Sequence, residues 1–284
     1  MQIRFDKVSY SPRNVSIEGV CALEDISFEL DRPGLTGIMG EHGSGKRSLL
    51  FILSGLLCPE RGHVYINGMD TAGKAYRRDP EKPECAFVMR GAELFCEKTT
   101  EREFDTLLRG SKLSAEEKAE RMHRALSLVG LESATVIQMA PAALSRLDRY
   151  RLSIAMALAS KPDILLLDEP LEQLDAPGRK MFQGLVEKLV ADGCHIVITG
   201  NDADFLAEHA DRVLVMQNGH LIRSGTARDI FAGYYDLIRN QIPIPEVKRA
   251  SQLLLERGVN MPSNIFEYEQ FIDRLKIIMW RKQK

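Results

Sequence analysis

A compact apolar run at residues 35–39 stops at Gly40, and the chain then reads Gly40-Glu41-His42-Gly43-Ser44-Gly45-Lys46-Arg47-Ser48 before an apolar helical stretch begins at Leu49. No other feature limits the fold as much. A buried strand must end, a glycine-rich loop must turn, and a helix must open at once. In that setting the glycines let backbone N–H groups wrap a phosphate chain. The helix N-terminus adds positive potential, and Lys46 reaches the outer phosphates. His42 reads as a loop residue beside the phosphates rather than a base. The pattern departs from the usual one at its last position, where a Ser or Thr hydroxyl normally ligates Mg²⁺ and this chain has Arg47.

Roughly 120 residues later, the apolar run Ile-Leu-Leu-Leu at 164–167 ends in Asp168, Glu169 and Pro170. A buried strand ending in two acids suits one carboxylate, Asp168, on the metal side and the other, Glu169, polarising an attacking water. A lone acidic pair could be a solvated strand end; beside the glycine-rich loop the chemical reading prevails. Further buried-strand runs at 195–198 and 213–215 alternate with helical stretches at 176–192 and 202–209, which implies a parallel sheet.

Residues 1–40 and 61–69 read as β structure. Between about 92 and 160 the pattern turns helical, with a capping box at Ser114 and Glu117 and a further helix starting near Ser145. After about residue 228 the character changes again: Pro243 and Pro245 mark a linker, and 246–257 and 266–280 are amphipathic helical candidates. The expected division is a domain at 1–228, with a helical subdomain inserted at about 92–160, and a small helical extension at 229–284.

Lys and Arg at 38 against Asp and Glu at 40 give a net charge of -2, which removes the electrostatic case for a nucleic-acid partner. No apolar run approaches the ~18 residues that span a bilayer. The start at Met1 runs straight into an alternating pattern, with no basic-then-apolar targeting segment. Five cysteines (Cys21, Cys58, Cys85, Cys96, Cys194) form no C-x-x-C pair, and reduced, mostly buried thiols of a cytosolic protein are expected.

The loop, the acidic strand end, and Leu144-Ser145 leading into a helix just before that strand resemble the nucleotide-binding subunit of ATP-binding-cassette (ABC) transporters. Leu174-Asp175, at the family's D-loop, and Ala210-Asp211-Arg212-Val213 before the closing strand extend the resemblance over residues 1 to about 228. The tail, with Gly225-Thr226, Ile230-Phe231, Pro245, and Leu254-Leu255 followed by Gly258, is similar to the ATPases of energy-coupling-factor (ECF) importers of vitamins and metals. The resemblance implies an α/β fold. Its parts are a P-loop NTPase core with a mainly parallel sheet, an N-terminal antiparallel β portion, the inserted helical subdomain and the C-terminal helical extension. It implies ATP as ligand, with the glycine-rich loop and Arg90 around it and Asp168 for Mg²⁺ if the ion is bound. It also implies a head-to-tail pair of ABC chains, with ATP between one chain's loop and the partner's signature sequence. That pair grips an integral-membrane transport subunit at the cytoplasmic face of the cell membrane.

Against the family pattern, this chain departs around one ion. Arg47 replaces the Ser or Thr and Arg90 replaces a Gln, both of which contact Mg²⁺ in the family. Asn201 stands at the switch histidine, Ser145-Arg146-Leu147-Asp148 at the glycine-bearing signature, and Pro12 at the adenine-stacking aromatic. Two guanidinium groups and a dication cannot share a few ångströms cheaply. At ~4 Å and an effective dielectric near 20, each like-charge unit pair costs about 4 kcal/mol. Arg47 and Arg90 are therefore expected to replace the metal, either on a bound phosphate chain or in ion pairs with Asp168 and Glu169. Ser145 and Asp148 keep N-cap spacing, so the helix can start. Bulky side chains at 146 and 147 crowd the approach to a partner's γ-phosphate, and Asp148 adds a repelling charge.

The expected function is the degenerate half of a heterodimer, beside a different, intact ABC ATPase, with Mg²⁺ dispensable or absent. The alternative is an active ABC ATPase that hydrolyses ATP to drive uptake of a vitamin or metal ion, because Lys46, Asp168, Glu169 and Asp175 remain. An ABC-fold protein outside transport is a third reading, disfavoured by the absence of a fused second cassette or DNA-binding hook. Glu93, Glu97, Glu101 and Glu103 read as a solvated helical face, or as a dock for an arginine of the membrane subunit. Tyr268, Phe271, Ile272, Leu275, Ile278 and Met279 read as packing of the last helix on the core or on a partner chain.

Overall fold

The computed structural model describes residues 1–12, 22–91, 95–262 and 265–282, so Cys21 and Glu93 lie outside the described residues. The chain opens with β1 (Ile3–Tyr10), β2 (Leu23–Leu30) and β3 (Gly34–Gly40), then enters α1 (Lys46–Leu53). Next come β4 (Arg61–Ile66), β5 (Met69–Asp70), α2 (Lys74–Arg78) and β6 (Cys85–Val88). Helices α3 (Thr100–Leu107), α4 (Ala115–Leu128), α5 (Ser133–Val136) and α6 (Arg146–Ala159) follow. Strands return with β7 (Ile164–Leu167), α7 (Ala176–Ala191), β8 (His195–Thr199), α8 (Ala203–His209), β9 (Arg212–Gln217) and β10 (His220–Gly225). The last elements are α9 (Ala227–Phe231), α10 (Tyr234–Arg239), α11 (Glu246–Glu256) and α12 (Tyr268–Lys282).

Two sheets organise these elements. The order β2-β1-β4-β5 is antiparallel, and the order β10-β9-β3-β8-β7-β6 is parallel except where β10 meets β9. The result is an α/β fold with a mainly parallel sheet, an antiparallel N-terminal portion, and helices between β6 and β7. Both faces of the parallel sheet are covered, which is why its strands read as unbroken apolar runs. Side chains still alternate. Ile164 and Leu166 pack with Leu49, Leu50, Ile3 and Phe5, whereas Leu165 and Leu167 pack with Leu152, Ile154 and Phe182. Each such side chain, taken fully out of water, contributes about 1.5–3 kcal/mol before entropy is charged against it.

Local signals set the helix starts that matter for the site. Ser114 and Glu117 form the reciprocal capping box of α4. Ser145 caps α6 and Asp175 caps α7, each accepting a backbone N–H with its side chain.

Two expectations need correction, and a third is met in part. Glu97, Glu101 and Glu103 do not form a solvated helical face. Residues 95–99 are irregular, α3 opens only at Thr100, and Glu103 is 5% exposed while accepting the N–H groups of Cys96 and Glu97 at 2.6 Å each. Two orphan backbone donors at a chain turn need an acceptor, and Glu103 supplies it. Glu97 accepts from the Thr106 hydroxyl and Glu101 from the Gln138 amide. The thiols are not mostly buried: Cys58 and Cys96 are exposed on connecting segments, Cys85 is half-buried and Cys194 buried. Burial lifts the thiols of Cys85 and Cys194 to about 12. In the tail, Phe271, Ile272, Leu275 and Ile278 form a small core with Val247 and Met261, but Tyr268 and Met279 stay exposed. Among the described residues, no helix is long and apolar enough to cross a membrane.

Candidate functional site

The glycine-rich loop is fixed by backbone constraints at both ends. Gly40 adopts φ +147, and a Cβ there would collide with the Met216 carbonyl, so no other residue ends β3 this way. Its N–H donates to Asn201 Oδ1 at 3.1 Å, tying the loop to the turn after β8. Gly45, at φ +98, caps α1 and passes the chain into the helix. Lys46 is buried, and its Nζ donates to the Gly40 and Glu41 carbonyls at 2.6 and 2.8 Å, laying the ammonium along the loop. Burial lowers the Lys46 pKa, while the charges of Glu169 and Asp168 pull it back up. Ser44 Oγ is buried without a hydrogen-bond partner among the described residues.

The end of β7 supplies the acids. The Thr199 hydroxyl donates to Asp168 Oδ1 at 2.7 Å and accepts the Glu169 N–H at 3.0 Å, so one side chain of β8 orders both. Arg47 Nε and Nη2 both reach Asp168 Oδ2, at 2.8 and 2.7 Å. Asp168 has a side chain only 4% exposed, against 23% for Arg47. The Arg90 guanidinium donates to Glu169 and to Glu172, the latter at 2.9 Å. The hydrogen bond to Glu169 raises the Arg90 pKa further, leaving it charged throughout. Of the two arrangements left open by the sequence, each arginine here holds a carboxylate.

These groups line a cavity of about 390 Å³, together with His42, Gly43, Gly45, Gly91 and Arg146. Four cationic side chains (Lys46, Arg47, Arg90, Arg146) face two carboxylates (Asp168, Glu169) in its lining. That surplus, with the loop's glycines, fits a polyphosphate. It does not fit a magnesium shell. Mg²⁺ wants oxygen ligands in octahedral array; positions 47 and 90 offer none, and both oxygens of Asp168 are already engaged. Ser48, the next hydroxyl along, is fully buried in α1. No group of three or more His, Cys, Asp or Glu side chains able to hold a metal occurs among the described residues.

The other predicted positions are occupied in structural ways. Asn201 uses its oxygen on Gly40. Asp175 accepts the Gly178 N–H at 2.8 Å and meets Arg151 at 3.4 Å. Ser145 donates to Asp148 at 2.8 Å and caps its N–H at 3.1 Å, and Arg151 holds Asp148 at 3.6 Å. Leu147 packs against the core. Sequence reasoning missed Thr199, Glu172, Arg151 and Gln173, the last accepting from Arg146 at 3.1 Å. Only Thr199 carried a signal, as the one polar residue closing a buried strand.

The family profile described as ABC transporter matches residues 23–172, more than half of the chain. The chain belongs to the ABC transporter family. Within that family it is 33% identical over 268 residues to the energy-coupling factor transporter ATP-binding protein EcfA2 of Latilactobacillus sakei, covering 92% of this chain and 91% of that relative. It is 30% identical over 273 residues to the protein of the same name from Caldanaerobacter subterraneus, covering 95% of each. Among solved ABC structures, a dimeric cassette, MJ0796, in a post-hydrolysis state bound to ADP and Pi superposes with a TM-score of 0.68 at 25% identity. The match covers 80% of this chain and 99% of that one. As an ABC family member, the chain brings its glycine-rich loop and its acidic strand end to one cavity, with arginines at positions 47 and 90 in the lining.

Proposed function

We propose that this chain is the ATP-binding subunit of an ECF-type ABC importer and the degenerate half of a heterodimer with a different, intact ABC ATPase. It sits peripherally at the cytoplasmic face of the membrane and couples nucleotide binding to an integral-membrane subunit. Residues 1–228 form the cassette, with its helical subdomain at about 92–160, and 229–284 form the extension. ATP occupies the cavity beside Lys46, and Mg²⁺ is dispensable there because guanidinium charge stands where its ligands would be. Near full-length similarity to the ECF ATP-binding proteins supports the importer assignment.

The observation that carries the loss of hydrolysis is the pairing of both acids. A general base must have a free oxygen within reach of the water it deprotonates. Glu169 has Oε2 committed to Arg90, which leaves it Oε1 alone, and Asp168 has both oxygens committed, to Arg47 and to Thr199. Steady-state ATPase assay of the purified chain is expected to give background turnover. A rate on the order of ~1 s⁻¹ or more, lost in both Lys46→Ala and Glu169→Gln, would overturn the reading in favour of an active ATPase.

A further inference from the structure

Arg146 is the first residue of α6, at the signature position, yet it lines the cavity of this chain's own glycine-rich loop. Its Nη2 donates to Gln173 Oε1 at 3.1 Å. Gln173 closes the short turn that begins after Glu169 and carries Glu172, the two acids that hold Arg90. Arg146 and Arg90 therefore belong to the same wall, at the exit of β7. Their electrostatic states differ. Arg47 and Arg90 each sit on carboxylates, whereas Arg146 makes no ion pair with a described residue and is held only by a neutral amide. The unbalanced positive charge of the cavity thus resides on Lys46 and Arg146. A neutral hydrogen bond is the weaker partner for a guanidinium. A phosphate offers it a charge-assisted, two-pronged contact roughly twice as strong.

We infer that Arg146 binds the terminal phosphate of the nucleotide held by its own chain's loop. The position that serves a neighbour's nucleotide in a head-to-tail pair serves this chain in cis. The inference rests on the reading that the cavity takes ATP. Arg146 already lines the cavity, and to meet a phosphate there it must exchange its hydrogen bond to Gln173 for one to the ligand.

The test is equilibrium binding of ATP and of ADP to the full chain in EDTA, over a wide range of chain concentrations. Arg146→Ala is expected to weaken ATP about tenfold, the value of one contact to a charged group, and to change ADP little. Arg146→Lys should recover part of the loss, since a point charge replaces the fork. The effect should be the same at every chain concentration. If Arg146→Ala leaves ATP affinity unchanged while Lys46→Ala abolishes it, the cis role is overturned and the site reading stands. An effect that appears only as chain concentration rises assigns Arg146 to a neighbour's nucleotide and also overturns it. Equal losses for ATP and ADP with a lowered melting temperature would show a structural role instead. If the unaltered chain binds no ATP, the site reading itself fails and takes this inference with it.

Discussion

Arg47 and Arg90 each hold a carboxylate, but burial separates them. Asp168 is almost out of water, so removing its partner leaves a charge with one hydroxyl for company. Arg47→Ala should cost about 2–3 kcal/mol in denaturant unfolding, somewhat under a fully buried pair because Arg47 itself reaches solvent. Arg90 is 42% exposed and pairs with Glu169, 16% exposed, and with Glu172, 51% exposed; Arg90→Ala should cost about 1 kcal/mol, less than Arg47→Ala because the arginine itself reaches solvent. Equal losses would show that the two pairs are not what burial makes them. The same residues decide the metal question. ATP affinity of the unaltered chain should be nearly the same in EDTA and in Mg²⁺, whereas the double change Arg47→Ser, Arg90→Gln should make it rise with Mg²⁺, since Asp168 is then free to enter an oxygen shell. Titration of binding with the ion, in both proteins, checks this. At this scale the sequence carried the expectation that Arg47 and Arg90 stand in for two oxygen ligands, on a phosphate chain or in ion pairs with Asp168 and Glu169. It could not state which carboxylate each would take, because that depends on how far apart β7, α1 and the turn after β6 are held. Nor could it show that Asn201 is spent on the Gly40 N–H, a contact between residues 161 apart in the chain.

Among the elements, those with a start signal were readable and those defined only by their neighbours were not. Helix α4 declared itself through Ser114 and Glu117, and α6 through Ser145 and Asp148. The buried strands β7 and β8 did so through continuous apolar runs. Strand β6 did not. It is short, three of its four residues are half-buried, and it is an edge of the parallel sheet that exists because β7 is there to pair with. The short helices α2, α5, α9 and α10 likewise fall below the length at which a helical period can be read. Glu103 is the clearest case of a charge whose place in the fold its spacing concealed. It accepts the N–H groups of Cys96 and Glu97 from one buried oxygen, so Glu103→Ala should speed hydrogen exchange at 96 and 97 and cost about 2 kcal/mol. Ser145→Ala should cost about 1 kcal/mol through loss of the α6 cap. If Glu103→Ala leaves exchange at 96 and 97 unchanged, the carboxylate is not what holds that turn.

At the scale of the whole molecule, the proposed degeneracy would have consequences for whatever chain pairs with this one. Head-to-tail pairing would bring Ser145-Arg146-Leu147-Asp148 to a sister's phosphate loop. In this chain Leu147 packs against the core, Asp148 is held by Ser145 and Arg151, and Arg146 lines its own chain's cavity. In the proposed pair the sister's site would be weakened from outside, while the site beside Lys46 would receive the sister's signature but has Asp168 and Glu169 paired with arginines. Hydrolysis by such a complex should be slow, and it should run through the sister's acid rather than Glu169. In the reconstituted complex, Gln at the sister's glutamate should lower turnover more than Glu169→Gln does, and Arg90→Ala, which frees Glu169, should not raise the rate to that of an intact pair. The measurement is ATPase turnover of complexes carrying one change at a time, each checked for unchanged assembly. The reverse ranking, with Glu169→Gln the more damaging, would make this chain the catalytic half and would mean that Arg90 leaves Glu169 when nucleotide and sister are both in place.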